Sequence, residues 1–208
     1  VSRNRNRGIR SSGSEKLVFL DDDAKPCEDF LEICYRYLDE YSIITGEIVH
    51  SREGLIKRAS KAQYDQGNSI KPLDKTLKGG NMAARKGVIE DAGFFSEDLP
   101  YGREEGELAN RIAKKYDIYY IPEMVIEHEY ADSILELYKK MYRHGYYYPL
   151  YWRKTGASFK SKIGPIIPYA RDDTILGTIL LSIGSFISTV GVLAGYFSLL
   201  TNSREQTP

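Results

Sequence analysis

Cysteine is nearly absent: Cys27 and Cys34 are the only two in 208 residues. If the segment between them is helical they stand roughly 10 Å apart, too far for a bridge. A disulfide-stapled secreted scaffold is therefore excluded, and both read as free thiols in a reducing compartment. Net charge is absent too. Lysine plus arginine and aspartate plus glutamate each number 29, so no global field favours nucleic acid as a partner. There is no internal repeat, no phosphate-cradling G-x-x-x-x-G-K-[ST] loop and no nucleophile with an adjacent base, which weighs against a phosphotransferase. The polar opening run VSRNRNRGIRSSGSEK does not read as a signal peptide, and residue 1 is valine rather than methionine, so a fragment or a non-standard start codon is expected.

What is present is a chain with a core, 42% apolar and 28% charged. Leu17 to Leu20 reads as a short buried strand, followed at once by Asp21, Asp22 and Asp23, with Pro26 stopping regular continuation. Three like charges at a strand end repel one another, so a counter-cation belongs there. In extended geometry Asp21 and Asp23 point the same way and Asp22 away. Two converging carboxylates suit a hard divalent ion, Mg²⁺ or Mn²⁺. CEDFLEICYRYLDEY has helical spacing, SIITGEIV reads as a strand, and the alternation predicts an α/β layer architecture. Residues 51–78 read as a loop-rich excursion. LKGGNMAARKGVIEDAGFF predicts a Gly-Gly turn running into a short helix, GREEGELANRIAKKY a helix with its glutamates in the first turns, and IYYIPEMVIEHEY two short strands broken at Pro122.

Five segments in order resemble the family 2 glycosyltransferases, inverting enzymes of the GT-A fold. RNRGIRSSGSEKLVFLDDDAKP is similar to their arginine-asparagine-x-glycine helix start, strand and D-x-D motif. GGNMAARKGVIEDAGFFSEDL is similar to the acceptor-side turn and helix, and GREEGELANRI to their glycine-x-glutamate-aspartate-x-glutamate-leucine segment. YYIPEMVIEHEY resembles the closing strand with its histidine, and LYKKMYRHGYYYPLYWRKTG the basic, aromatic helix that often follows. The resemblance implies a partial GT-A domain over residues 1–130, whose first, base-binding strands would lie before Val1. It implies a nucleotide-sugar donor held by Arg5, Asn6, Asp21 and Asp22, and a divalent metal on Asp21, Asp23 and His128. Glu105 is the implied general base, standing where the family most often has aspartate, with Glu104 orienting the acceptor. Gly79, Gly80 and Asn81 would form the sugar and acceptor side. His50 and His144 have no such context and read as surface residues.

Residues 131–173, with five tyrosines between Tyr142 and Tyr151 and the single Trp152, read as a juxtamembrane amphipathic or interfacial segment. Ile175 to Leu200 carries no charge and exceeds the roughly 20 residues a membrane helix needs, so 174–201 is expected to cross a bilayer once, with 202–208 a short tail. Arg153, Lys154, Lys160, Lys162 and Arg171 precede this span and Arg204 alone follows it, which predicts a cell-membrane protein with a cytoplasmic catalytic part. A lipid-linked or membrane-proximal acceptor would suit that placement. The alternative is a non-catalytic, membrane-tethered GT-A remnant acting as an interaction module.

Overall fold

The computed structural model describes residues 1–50, 54, 66–99, 103–156 and 175–204. Half of the 51–78 excursion, together with Gly102, Lys160, Lys162 and Arg171, lies outside these. The described residues form two units, the first closing at Glu129 and the second running on from Tyr130; Gly54, Leu99 and Arg103 also belong to the second.

The first unit has α1 (Ser2–Ser11), β1 (Lys16–Leu20), β2 (Lys25–Pro26), α2 (Phe30–Glu40), β3 (Ile43–Val49), β4 (Lys71–Leu73), β5 (Asn81–Arg85), α3 (Lys86–Asp91), α4 (Glu104–Ile112) and β6 (Ile118–Glu127). The sheet runs β1-β5-β3-β6-β2, with β4 also on β6. Among the described residues only β3 and β6 pair in parallel; the other pairings are antiparallel. Alternation along the strands sorts the core into two layers. Ile43, Met82, Ala84 and Ile118 face α1, α3 and α4 through Ile9, Ile89, Leu108 and Ile112. Ile44, Ala83, Ile121 and Ile126 face α2 through Phe30, Cys34 and Leu38. Cys27 precedes α2 rather than lying in it, both cysteines are free, and burial pushes the Cys34 thiol up to about 12.

Three segments differ from the sequence reading. Asn81–Arg85 is a strand, not a turn entering a helix: β5 lies between β1 and β3, where alanines without β-branching pack because both faces are covered. Lys71–Leu73 adds a short strand within the expected loop. The segment around Pro122 is one strand rather than two. Its register against β3 shifts between Gly46 and Glu47, passing from Ile121 to Val125, so that Pro122, which has no N–H to give, falls in the bulge. The shift brings the strands so close at Gly46 that a Cβ there would collide with the Met124 carbonyl. Gly46→Ala is expected to destabilise the domain by about 1–3 kcal/mol, read as a fall in melting temperature; an unchanged midpoint would contradict the tightness of this contact.

The second unit holds α5 (Ile134–Thr155) and α6 (Ile175–Arg204). The Ser133 side chain caps α5 by accepting from the Glu136 N–H, and Gly156 ends it at φ 67°. Its buried residues, Leu137, Met141, Gly145 and Pro149, recur every fourth position. Tyr138 donates to the Leu180 carbonyl at 2.9 Å. Met141 abuts Gly184, Gly145 abuts Ser188, and Tyr146 abuts Gly195. Partner numbers rise together, so the two helices lie side by side in the same sense, brought close by small residues. Within α6, Gly177–Thr201 is by length and composition apolar enough to cross a membrane.

Candidate active site

The sheet register assembles the site. β1 pairs antiparallel with β5 so that Leu20 lies opposite Asn81. The residue after Leu20 and the residue before Asn81, Asp21 and Gly80, are thereby brought together. They touch: a Cβ on Gly80 would strike the Asp21 carboxylate. From Leu20 the chain does not continue extended. A turn closed by the Ala24 N–H donating to the Asp21 carbonyl at 3.1 Å carries the aspartates across the strand ends to β2. There Lys25 pairs with Glu127 of β6, which sets Asp23 beside His128. The His128 Nε2 lies 3.1 Å from the Asp23 Oδ1, and one ligand atom each from Asp21, Asp23 and His128 falls within 4.8 Å of the others. The two aspartates thus converge through a turn, not through strand alternation. One half-buried and one exposed carboxylate with an imidazole are a donor set that fits a hard divalent cation. Asp22 is exposed between them.

On the other side stands α4, whose first turn carries Glu104, Glu105 and Glu107. Arg5 of α1 joins the two acidic groups: its guanidinium is 3.3 Å from Asp21, 3.6 Å from Glu104 and 3.4 Å from Glu105. Gly79 lies against Glu105 as Gly80 lies against Asp21, and a Cβ on Gly79 would collide with the Glu105 carboxylate. Desolvation, and secondly the charge of Glu104, push the Glu105 carboxyl above the ordinary carboxylate range, while Arg5 pulls the other way. A carboxyl raised in this manner holds a proton more readily than an ordinary glutamate. A cavity of about 280 Å³, lined by Arg5, Gly8, Ile9 and Leu17 to Phe19, opens beside Arg5.

The remaining predicted residues have structural employment. Asn6 is buried, donates to the Phe95 carbonyl and the Glu97 carboxylate at 2.9 Å each, and accepts from the Phe95 N–H. That clamp holds the Glu97 carboxyl below its ordinary range. Asn81 is fully buried, and its side-chain amide donates to the carbonyls of Glu47 and Met124, two groups on either side of the β3–β6 shift. Glu107 is held by Arg111, which also donates to the Ala92 and Phe94 carbonyls and so ties down the turn after α3. His50 and His144 are not surface groups. His50 is buried 3.6 Å from Glu129, and burial with the charges of Arg103, Lys140 and Arg143 lowers His144 to about 3. The sequence reading did not single out Thr45, Glu47, Lys78 or Tyr120, which pack together behind the Gly-Gly turn.

No protein-family model matches the sequence, and no curated protein matches it significantly. Solved structures do. A mannosyltransferase from Pyrobaculum calidifontis, determined with GDP-mannose and Mn²⁺, aligns over all of this chain and 56% of its own at TM-score 0.53 and 15% identity. GalNAc-T7 with UDP, GalNAc and Mn²⁺ aligns over 88% of this chain and 40% of its own at TM-score 0.51 and 12% identity. The chain thus spans about half the length of the structures it matches, and at these identities the likeness concerns architecture. In the mixed, helix-flanked sheet of its first unit the chain has part of the GT-A fold of these structures.

Proposed function

We propose that the chain carries the acidic half of an inverting, family 2-like glycosyltransferase site that moves a sugar from a nucleotide-diphosphate donor to an acceptor hydroxyl. The observation that supports it most is the juxtaposition, through Arg5, of the Asp21–Asp23–His128 cluster with the Glu104–Glu105 pair. In the reaction the acceptor oxygen forms a bond to the anomeric carbon as the bond from that carbon to the diphosphate oxygen breaks. The hydroxyl proton passes to Glu105, and the bonding pair leaves with the diphosphate. Glu104, almost fully buried beside it, orients the acceptor, and Arg5 offers a cation to donor oxygens between the two acidic groups. Asp21, Asp23 and His128 would hold Mg²⁺ or Mn²⁺, which when bound offsets negative charge on the diphosphate. Gly79 and Gly80 give the backbone close access to both carboxylates. The test is calorimetric titration of GDP- and UDP-sugars into the protein expressed from its own gene, with and without Mn²⁺. Metal-dependent binding is expected; none for any donor would sink the reading.

The same reading makes α6 a membrane anchor, with the catalytic unit on the cytoplasmic side and a lipid-linked or membrane-proximal acceptor within reach. Spanning has a consequence for α5. Lys139 and Arg143 are exposed on α5 between the levels of Leu180 and Gly191, so an α6 that crosses with α5 attached would set two cations against hydrocarbon, at about 2.5–3.5 kcal/mol each. In the anchored form α5 therefore leaves α6 for the interface, where its tyrosines, lysines and arginines are at home. Alkaline carbonate is expected to leave the protein in the membrane pellet; release into the supernatant would remove the anchor.

A further inference from the structure

Behind the Gly79–Gly80 turn lies a polar network that the proposed chemistry does not touch. Lys78, its side chain 4% exposed, places its ammonium 3.6 Å from the Glu47 carboxylate. The Tyr120 hydroxyl donates to the same carboxylate at 2.6 Å, and the Lys78 ammonium also lies over the Tyr120 ring at 5.2 Å. Thr45 serves both ends of the turn, accepting from the Lys78 N–H at 3.2 Å and donating to the Asn81 carbonyl at 2.7 Å. Asn81 then reaches back to the carbonyls of Glu47 and Met124. These side-chain anchors come from β3 and β6 around their register shift, in addition to the turn's own Asn81 N–H bond to the Lys78 carbonyl, and the turn's outer surface is the backbone that meets Glu105 and Asp21.

A buried lysine–glutamate pair is not a cheap way to stabilise a core, because desolvating two charges offsets most of their attraction. Apolar residues of equal volume would fill the same space. What the pair supplies that apolar packing does not is a fixed height for the turn, set by directional bonds. The two glycines have no side chains of their own to anchor, so the hydrogen bonds that hold their place are made by the residues on either side.

We infer that Glu47 and Lys78, with Thr45 and Tyr120, are positioning residues: their network sets the Gly79–Gly80 backbone against Glu105 and Asp21 and so fixes the separation of base and donor-side carboxylate. The inference rests on the transferase reading for its consequence, but its structural half is testable without it.

The test is site-resolved amide exchange on the whole chain in detergent, comparing Glu47→Gln, Lys78→Met and the double variant. Glu47→Gln is isosteric and still accepts from Tyr120, so it carries the test even if Lys78→Met does not fold. Exchange at Gly79 and Gly80 is expected to quicken by about tenfold in either single variant while the α2 and α4 amides hold. The double variant should be no worse than the singles, because the pair acts as a unit. Lys78→Arg, which keeps the cation, should restore most of the protection. In a transfer assay kcat should fall by about 10–100-fold with donor Kd within twofold, the signature of a misplaced group rather than a lost contact. Unchanged exchange at the two glycines in folded Glu47→Gln overturns the inference. So does uniform quickening across the domain, which would make the pair a plain stabiliser. Failure of the unaltered protein to bind any nucleotide sugar would strike the transferase reading instead, and the exchange result would still decide what holds the turn.

Discussion

Glu105→Gln is expected to lower turnover by about 10²–10⁴, the usual contribution of a positioned base, while donor affinity stays within a few-fold. Glutamine keeps the shape beside Gly79 and can still accept from Arg5, so the change removes the proton acceptor and little else. If the proposed activity holds, the unaltered protein should show an acid limb in kcat lying above the pH at which an ordinary glutamate titrates. The sign follows from the cause. Desolvation and the neighbouring charge of Glu104 raise this carboxyl, the base must be ionised to act, and activity is therefore lost as pH falls through the raised value. Glu105→Asp separates reach from basicity. The longer side chain is what brings the carboxylate to Arg5 and to the Gly79 backbone. Aspartate should therefore fall short and lose activity, even though the resembled family most often has it there. Wild-type turnover in Glu105→Gln would pass the role of base to Glu104 or another carboxylate.

The second large effect is expected at the aspartate turn. Asp21→Asn with Asp23→Asn removes both anions of the candidate metal group while leaving His128, and the chain's hydrogen bond from Ala24 to the Asp21 carbonyl is untouched because it uses backbone only. Mn²⁺ affinity, read by paramagnetic resonance of the free ion and without any donor present, should fall by more than the roughly 10–100-fold that losing an outer-shell partner already causes. Asp21→Asn alone should also free Arg5 from one of its partners. Undiminished Mn²⁺ binding in the double variant would place the ion elsewhere. Loss of binding together with loss of the native fold would not be expected, since Asp21 is only partly buried and Asp23 is exposed.

Some of this molecule is written in local sequence. The strand ending in three aspartates, the helix from Phe30, the strand from Ile43 and the helix opening with glutamates all follow from periodicity, dipole preference and flanking breakers, which act over a few residues. The length and apolarity of α6 are equally local. Repulsion within the aspartate triplet marked Asp21 and Asp23 as candidates, and the resemblance of the ordered motifs to the family supplied Glu104, Glu105 and His128.

What the sequence could not decide is which of these groups meet. Asn81 to Arg85 has no β-branched residue and looked like a turn entering a helix; it is a strand because β1 and β3 pair with both its edges while the two helix layers cover its faces. The convergence of Asp21 and Asp23 was reached by strand alternation, whereas the chain turns there, and their meeting with His128 comes from the pairing of Lys25 with Glu127, about a hundred residues apart. Asn6 and Asn81 carry family-like spacing, yet nothing local distinguishes an asparagine aimed at a ligand from one that clamps buried carbonyls. Glu47, Lys78 and Tyr120 each look ordinary along the chain, since a buried ion pair has no sequence period. The residue types and their order thus determined the chemistry available to this protein, and the register of the sheet decided its geometry, because pairing between distant strands is the force that sets carboxylate against carboxylate.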